Sequence, residues 1–126
     1  MQKAIGYEPV TNITVNGYVY IDCGGHGCFE LQIDRLAGTD TVTITVEASE
    51  GLEAQASATY RDITQYGCDC LTQVGGASYT LVGVSTVVLR SKPPGSGAHW
   101  LRVRYAAGAW TGDTDIVVHW SLWDKG

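Results

Sequence analysis

Through most of this chain apolar and polar residues trade places at every second position, a period that fits extended strands and not helices. In "DTVTITVEA" Val42, Ile44 and Val46 face one way, and Thr41, Thr43 and Thr45 the other. "CFELQIDRL" sets Phe29, Leu31 and Ile33 against Glu30, Gln32 and Asp34, and "HWLRVRY" sets Leu101 and Val103 against Arg102 and Arg104. In "DIVVHWSLW" Ile116, Val118, Trp120 and Leu122 share one face, opposite Val117, His119, Ser121 and Trp123. The pattern predicts a common core of Val42, Ile44, Val46, Leu101, Val103, Ile116, Val118 and Trp120. Further strands are expected over 10–15, 17–22, 59–64, 78–82 and 85–91.

Turn signals separate these runs: Asn16-Gly17, Gly24-Gly25, Ala37-Gly38, Gly75-Gly76, "KPPGSG" and Gly112-Asp113. Only 50–58, "EGLEAQASA", is suited to a helical turn. Roughly eight or nine strands at this spacing predict an antiparallel sandwich or barrel. With 126 residues and no linker, one domain is expected, spanning 10–126. The segment 1–9, "MQKAIGYEP", carries no strong pattern and is expected to be an arm able to reach a neighbouring subunit.

Charged residues make up 17% of the chain, against an ordinary share of roughly 25%. That surface suits a protein packed against neighbours. The net charge of −5 predicts neither a nucleic acid nor an anionic membrane as partner, since both call for a basic face. The N-terminus has no apolar run or small-residue cleavage site, so no signal peptide and folding in a cytosol are expected. Without secretion, Asn12-Ile13-Thr14 is a glycosylation match by coincidence.

One combination of segments goes beyond a general sandwich. "VTITVEASEG", then "YRDIT" at 60–64, then "HWLRVRY" at 99–105 resembles small jelly-roll domains of the discoidin or galactose-binding type. In those domains a strand ends in a Glu-x-Ser turn, an aromatic residue precedes a short D-I-T-like strand, and a late strand reads aromatic-hydrophobic-Arg-Val. The chain also looks similar to tailed-bacteriophage virion proteins of about this length. The likeness covers 40–66 and 99–123; Tyr60 stands where Trp is usual, and no ligand site is carried over. The resemblance implies an all-β antiparallel jelly roll of roughly eight strands. It also implies a virion structural protein: a capsid decoration or cement protein, or an accessory of the head–tail junction or tail. Such a protein would be made in the host cytoplasm and would meet capsid or other virion proteins as a homo-oligomer or on a lattice.

Four cysteines stand apart from that pattern: Cys23 and Cys28 around a Gly-rich loop, and Cys68 and Cys70 at alternate positions. A structural zinc ion held by Cys23, Cys28, Cys68 and Cys70 is one reading, since reduced thiols are soft tetrahedral ligands. The spacings C-x4-C and C-x-C are not the usual C-x2-C, so disulfides (23–28, or bridges between the pairs) and unlinked buried thiols stay open. His26 is a candidate replacement ligand, although a loop histidine is more often solvated.

Catalysis is not expected. His26, His99 and His119 have no G-x-S-x-G elbow near them. Asp22, Glu30, Asp34, Glu47, Asp62, Asp113 and Asp115 read as solvent-face or turn residues rather than facing pairs. The aromatic set is skewed, with 7 Tyr and 4 Trp against 1 Phe. Tyr and Trp favour protein interfaces and sugar platforms alike, so a carbohydrate-binding module recognising a host surface glycan is the alternative. Trp110 and Trp123 are expected outside the core.

Overall fold

The computed structural model describes residues 3–64, 67–70, 79–81, 85–92 and 98–124, and the architecture below concerns these. The strands in chain order are β1 (Lys3–Val10), β2 (Gly17–Asp22), β3 (Cys28–Ala37), β4 (Val42–Ser49) and β5 (Arg61–Asp62). They continue with β6 (Cys68–Cys70), β7 (Tyr79–Leu81), β8 (Ser85–Ser91), β9 (Trp100–Ala106) and β10 (Asp115–Trp123). One turn of 3-10 helix, Gln55–Ser57, falls in the segment expected to be helical.

The chain runs out and back as one long hairpin, with β1 on β10, β2 on β9, β3 on β8 and β4 on β7, all antiparallel. Rolling it up places alternate pairs in opposite sheets. The first sheet is ordered β1-β10-β3-β8-β6; the second is β2-β9-β4-β5, with β7 also on β4. Ordered this way, the sandwich is a jelly roll.

Period-two alternation decides which side of each strand is buried. Phe29, Leu31, Ile33, Val87, Leu89, Ile116, Val118 and Leu122 come from the first sheet, and Val19, Ile21, Val42, Ile44, Val46, Leu101 and Val103 from the second; all are at most 2% exposed. They form one apolar cluster between the sheets. Burial of this kind contributes roughly 1.5–3 kcal/mol for each large side chain. Trp120, expected inside it, is only partly buried and packs on its margin.

The first sheet begins differently from expectation. Of the arm expected over 1–9, residues 3–9 belong to β1, which runs from Lys3 to Val10 and is paired along its whole length with β10; residues 1 and 2 lie outside the described residues. Gly6 is the reason the strand fits there. It lies opposite Trp120, and a Cβ at Gly6 would come within 2.5 Å of the indole. Of the strand expected over 10–15, only Val10 belongs to a strand. Asn12 turns the chain with φ 51°, and the Ile13 N–H donates to the Thr114 carbonyl at 3.1 Å. The strand expected at 59–64 shrinks to Arg61–Asp62 because Thr64 turns inward. Its hydroxyl accepts from the Val46 N–H at 2.7 Å and donates to the Val46 carbonyl at 3.2 Å.

Candidate functional site

The outer face of the second sheet carries an aromatic and arginine cluster assembled from three strands and a loop. Strand β2 points Val19 and Ile21 inward, so Tyr18 and Tyr20 point out. Register then places Tyr20 beside Arg102 of β9, and Arg102 beside Glu47 of β4. The Arg102 Nε donates to Glu47 Oε1 at 2.5 Å. Its guanidinium lies 4.0 Å from the ring centres of both Tyr18 and Tyr60. Tyr20 completes the group, 5.9 Å from the Tyr18 ring and 6.3 Å from that of Tyr60. Tyr60 is fixed from behind, its hydroxyl donating to the Gln55 carbonyl at 2.9 Å.

The electrostatics agree with a fixed, cationic centre. Burial alone would lower the Arg102 pKa, but the Glu47 hydrogen bond and charge outweigh it and raise it, so the guanidinium stays charged. Burial pushes the Tyr60 phenol upward, against the opposing pull of Arg102. Tyr60 is therefore a neutral donor. A planar cation held between two rings is stiff, and a stiff polar and aromatic surface is pre-ordered for a ligand or partner.

Beside this cluster the surface is indented. A depression of about 240 Å³ is lined by Ala48, Ser49, Glu50, Thr59, Tyr60 and Arg61. A wider cleft of about 420 Å³ has His26, Glu50, Leu52, His99 and Asp124 in its walls. Glu50 belongs to both. It receives a hydrogen bond from Arg61 at 2.7 Å, and His26 Nδ1 lies 2.8 Å from Asp124 Oδ1. Leu52 is 87% exposed at the rim.

Strand alternation gives the described cysteines different surroundings. Cys23 and Cys68 are buried members of the core, while Cys28 is partly exposed and lies opposite Trp123. Phe29, next along β3, points into the core, so Cys28 points away from it. Cys70 is placed by the backbone of β6; its side chain lies outside the described residues. Cys23 carries a free thiol. Among the described residues no three His, Cys, Asp or Glu side chains are grouped to hold a metal ion. Burial, helped by the charge of Asp22, pushes the Cys23 thiol up to about 12.

At pH 8 native Cys23 should resist iodoacetamide because it is both neutral and enclosed, and it should label once the chain is unfolded. Peptide mass spectrometry of native and urea-unfolded samples reads the difference, and rapid native labelling of Cys23 would contradict its burial. The same raised value makes the native state hold a proton that an unfolded thiol sheds from its ordinary 9.0 upward. Stability from this group is therefore complete below 9.0 and declines as pH rises through about 12.

The remaining candidates are dispersed. His119 Nε2 lies 3.5 Å from Asp34 on the outer face of the first sheet, and Glu30 pairs there with Arg90 at 2.8 Å. Asp113 and Asp115 hold turns, accepting from the N–H groups of Thr39 and Asn12. Trp110 packs against the core, and its indole N–H donates to Asn16 Oδ1 at 2.8 Å.

Glu47 is an outer-face acid, as its strand position predicts, but the alternation alone does not join it to the tyrosines. The available signal was the pair of alternating segments "GYVYID" and "LRVRY", each with a polar outer row. Fold and surface together define an antiparallel jelly-roll sandwich with an aromatic, arginine-centred outer face. Comparison of the chain with family models, with curated proteins and with solved structures finds no match.

Proposed function

We propose that this chain is a non-enzymatic structural protein of a tailed-bacteriophage virion, decorating or cementing the capsid or serving as an accessory at the head–tail junction or tail. The observation that carries this reading is the exposed side of β1. Ile5 is 76% and Tyr7 68% exposed, side by side on the outward row of an edge strand. Among the described residues β1 ends its sheet, and an edge strand with exposed apolar side chains is a docking surface or an aggregation hazard that an assembled particle would cover. The low charge and the jelly-roll resemblance point the same way.

The test uses the whole protein with assembled particles. Native protein should co-sediment with them, and an Ile5→Asp/Tyr7→Asp double variant should lose at least tenfold of the bound fraction while staying folded. Both side chains face water, so the fold should change in stability by no more than about 1 kcal/mol in total. A native protein that stays monomeric and never joins particles would overturn the reading.

A second reading, a module that binds a host surface glycan, is favoured by the cluster of Tyr18, Tyr20, Tyr60 and Arg102 with Glu47. A glycan array probed with the native protein separates the two.

A further inference from the structure

We infer that the depression walled by Tyr60, Arg61 and Glu50 is a saccharide subsite, and that its ligand is a neutral oligosaccharide. This rests on the glycan-binding reading and gives it a location and a ligand class.

Sugar hydroxyls donate and accept at once, so a sugar site needs both kinds of partner in one plane beside an aromatic wall. Arg61 and Glu50 supply such a pair, held at 2.7 Å with side chains about half exposed, 62% and 56%. Arg61 retains donors and Glu50 retains lone pairs that the pair itself does not use. Ser49 and Thr59 add hydroxyls to the same lining. Tyr60 is the wall, tied by its hydroxyl to Gln55 and by its ring to Arg102, so little ordering remains to be done on binding.

Charge selects neutral over acidic sugars. Arg61 is already matched by Glu50, and Arg102 by Glu47. The adjoining cleft adds Asp124 and shares Glu50. With Arg61 and Arg102 both matched, a uronate or sulfated residue would gain no unmatched cation among the described residues around the depression. That wider cleft, about 420 Å³, lies within the usual range for small-molecule sites, roughly 300–1,000 Å³. Glu50 links it to the Tyr60 depression, so a chain of several sugar residues has somewhere to continue.

The experiment is a glycan array with neutral and uronic-acid oligosaccharides, followed by calorimetric titration of the best neutral hit. Glu50→Gln and Tyr60→Ala should each weaken binding at least tenfold, while Leu36→Ser on the opposite sheet should bind as the native protein does. Glu50 is half exposed, so Glu50→Gln keeps the fold and covers the case in which Tyr60→Ala disturbs the Arg102 stack. Neutral-glycan binding unchanged in both variants would overturn the subsite and leave the glycan reading standing. Binding to acidic oligosaccharides alone would overturn the ligand class. No binding anywhere on the array would overturn the inference and the glycan reading together, leaving the virion reading untouched.

Discussion

Ile44→Ala should lower stability by about 2–5 kcal/mol, whereas Thr43→Ala, one residue away, should change it by less than about 1 kcal/mol. Ile44 is fully buried in β4, with Tyr105 of β9 on one side and Tyr79 of β7 on the other, both buried as well. Three strands thus converge on its side chain, and neighbours tied into ladders on both sides cannot collapse into the hole left by three carbons. The large end of the range is therefore expected. Thr43 points the opposite way, opposite Ala106 and Thr80 on the outer face, and its loss opens no cavity. Urea unfolding of both variants checks the contrast. Similar small effects would mean that β4 is shifted by one residue, which would also turn Val42 and Val46 to solvent.

The inner rows of the long strands were legible in the sequence because burial on one side forces period-two alternation. Elements whose stability comes from a neighbour were not. In β1 the inward row is Ala4, Gly6, Glu8 and Val10, and the outward row is Ile5, Tyr7 and Pro9. That is almost the reverse of the usual pattern. It works because Trp120 reaches over Gly6 and supplies the apolar cover that β1 lacks. The two-residue β5 and three-residue β6 are too short for any period to register. The functional face was hidden for another reason. Tyr20, Arg102 and Glu47 are far apart in the chain and meet only through registers across three strands, and Tyr60 joins them from a loop. Composition announced many tyrosines; only topology says which of them share a cation.

Gly38→Ala should be strongly destabilising although it lies outside the apolar core, costing about 2–6 kcal/mol. Two penalties act together at this turn between β3 and β4. Gly38 has φ 110°, a backbone region that side chains rarely enter, and such strain costs about 1–3 kcal/mol. The added methyl would also drive into the backbone of Thr114, with Thr114 Cβ at 2.7 Å, and overpacking adds about 1–3 kcal/mol. Thr114 cannot step aside cheaply. It is fully buried and donates to Asp40 at 2.7 Å, and Asp40 also accepts from Thr111. The buried Arg35 guanidinium donates to the Gly38 carbonyl at 2.6 Å and to the Asp40 carbonyl, closing this end of the sandwich. Displacing residue 38 would strip a buried charge of one of its acceptors, a loss that water cannot make good there. Gly112→Ala is the control. Its φ is 85°, but a methyl there would meet nothing closer than Thr14 at 3.7 Å, so backbone strain alone should cost about 1–2 kcal/mol. Chemical denaturation of the two variants side by side separates strain from collision. Equal losses would show that the Thr114 segment yields freely and that the Arg35–Asp40 network does not hold the turn.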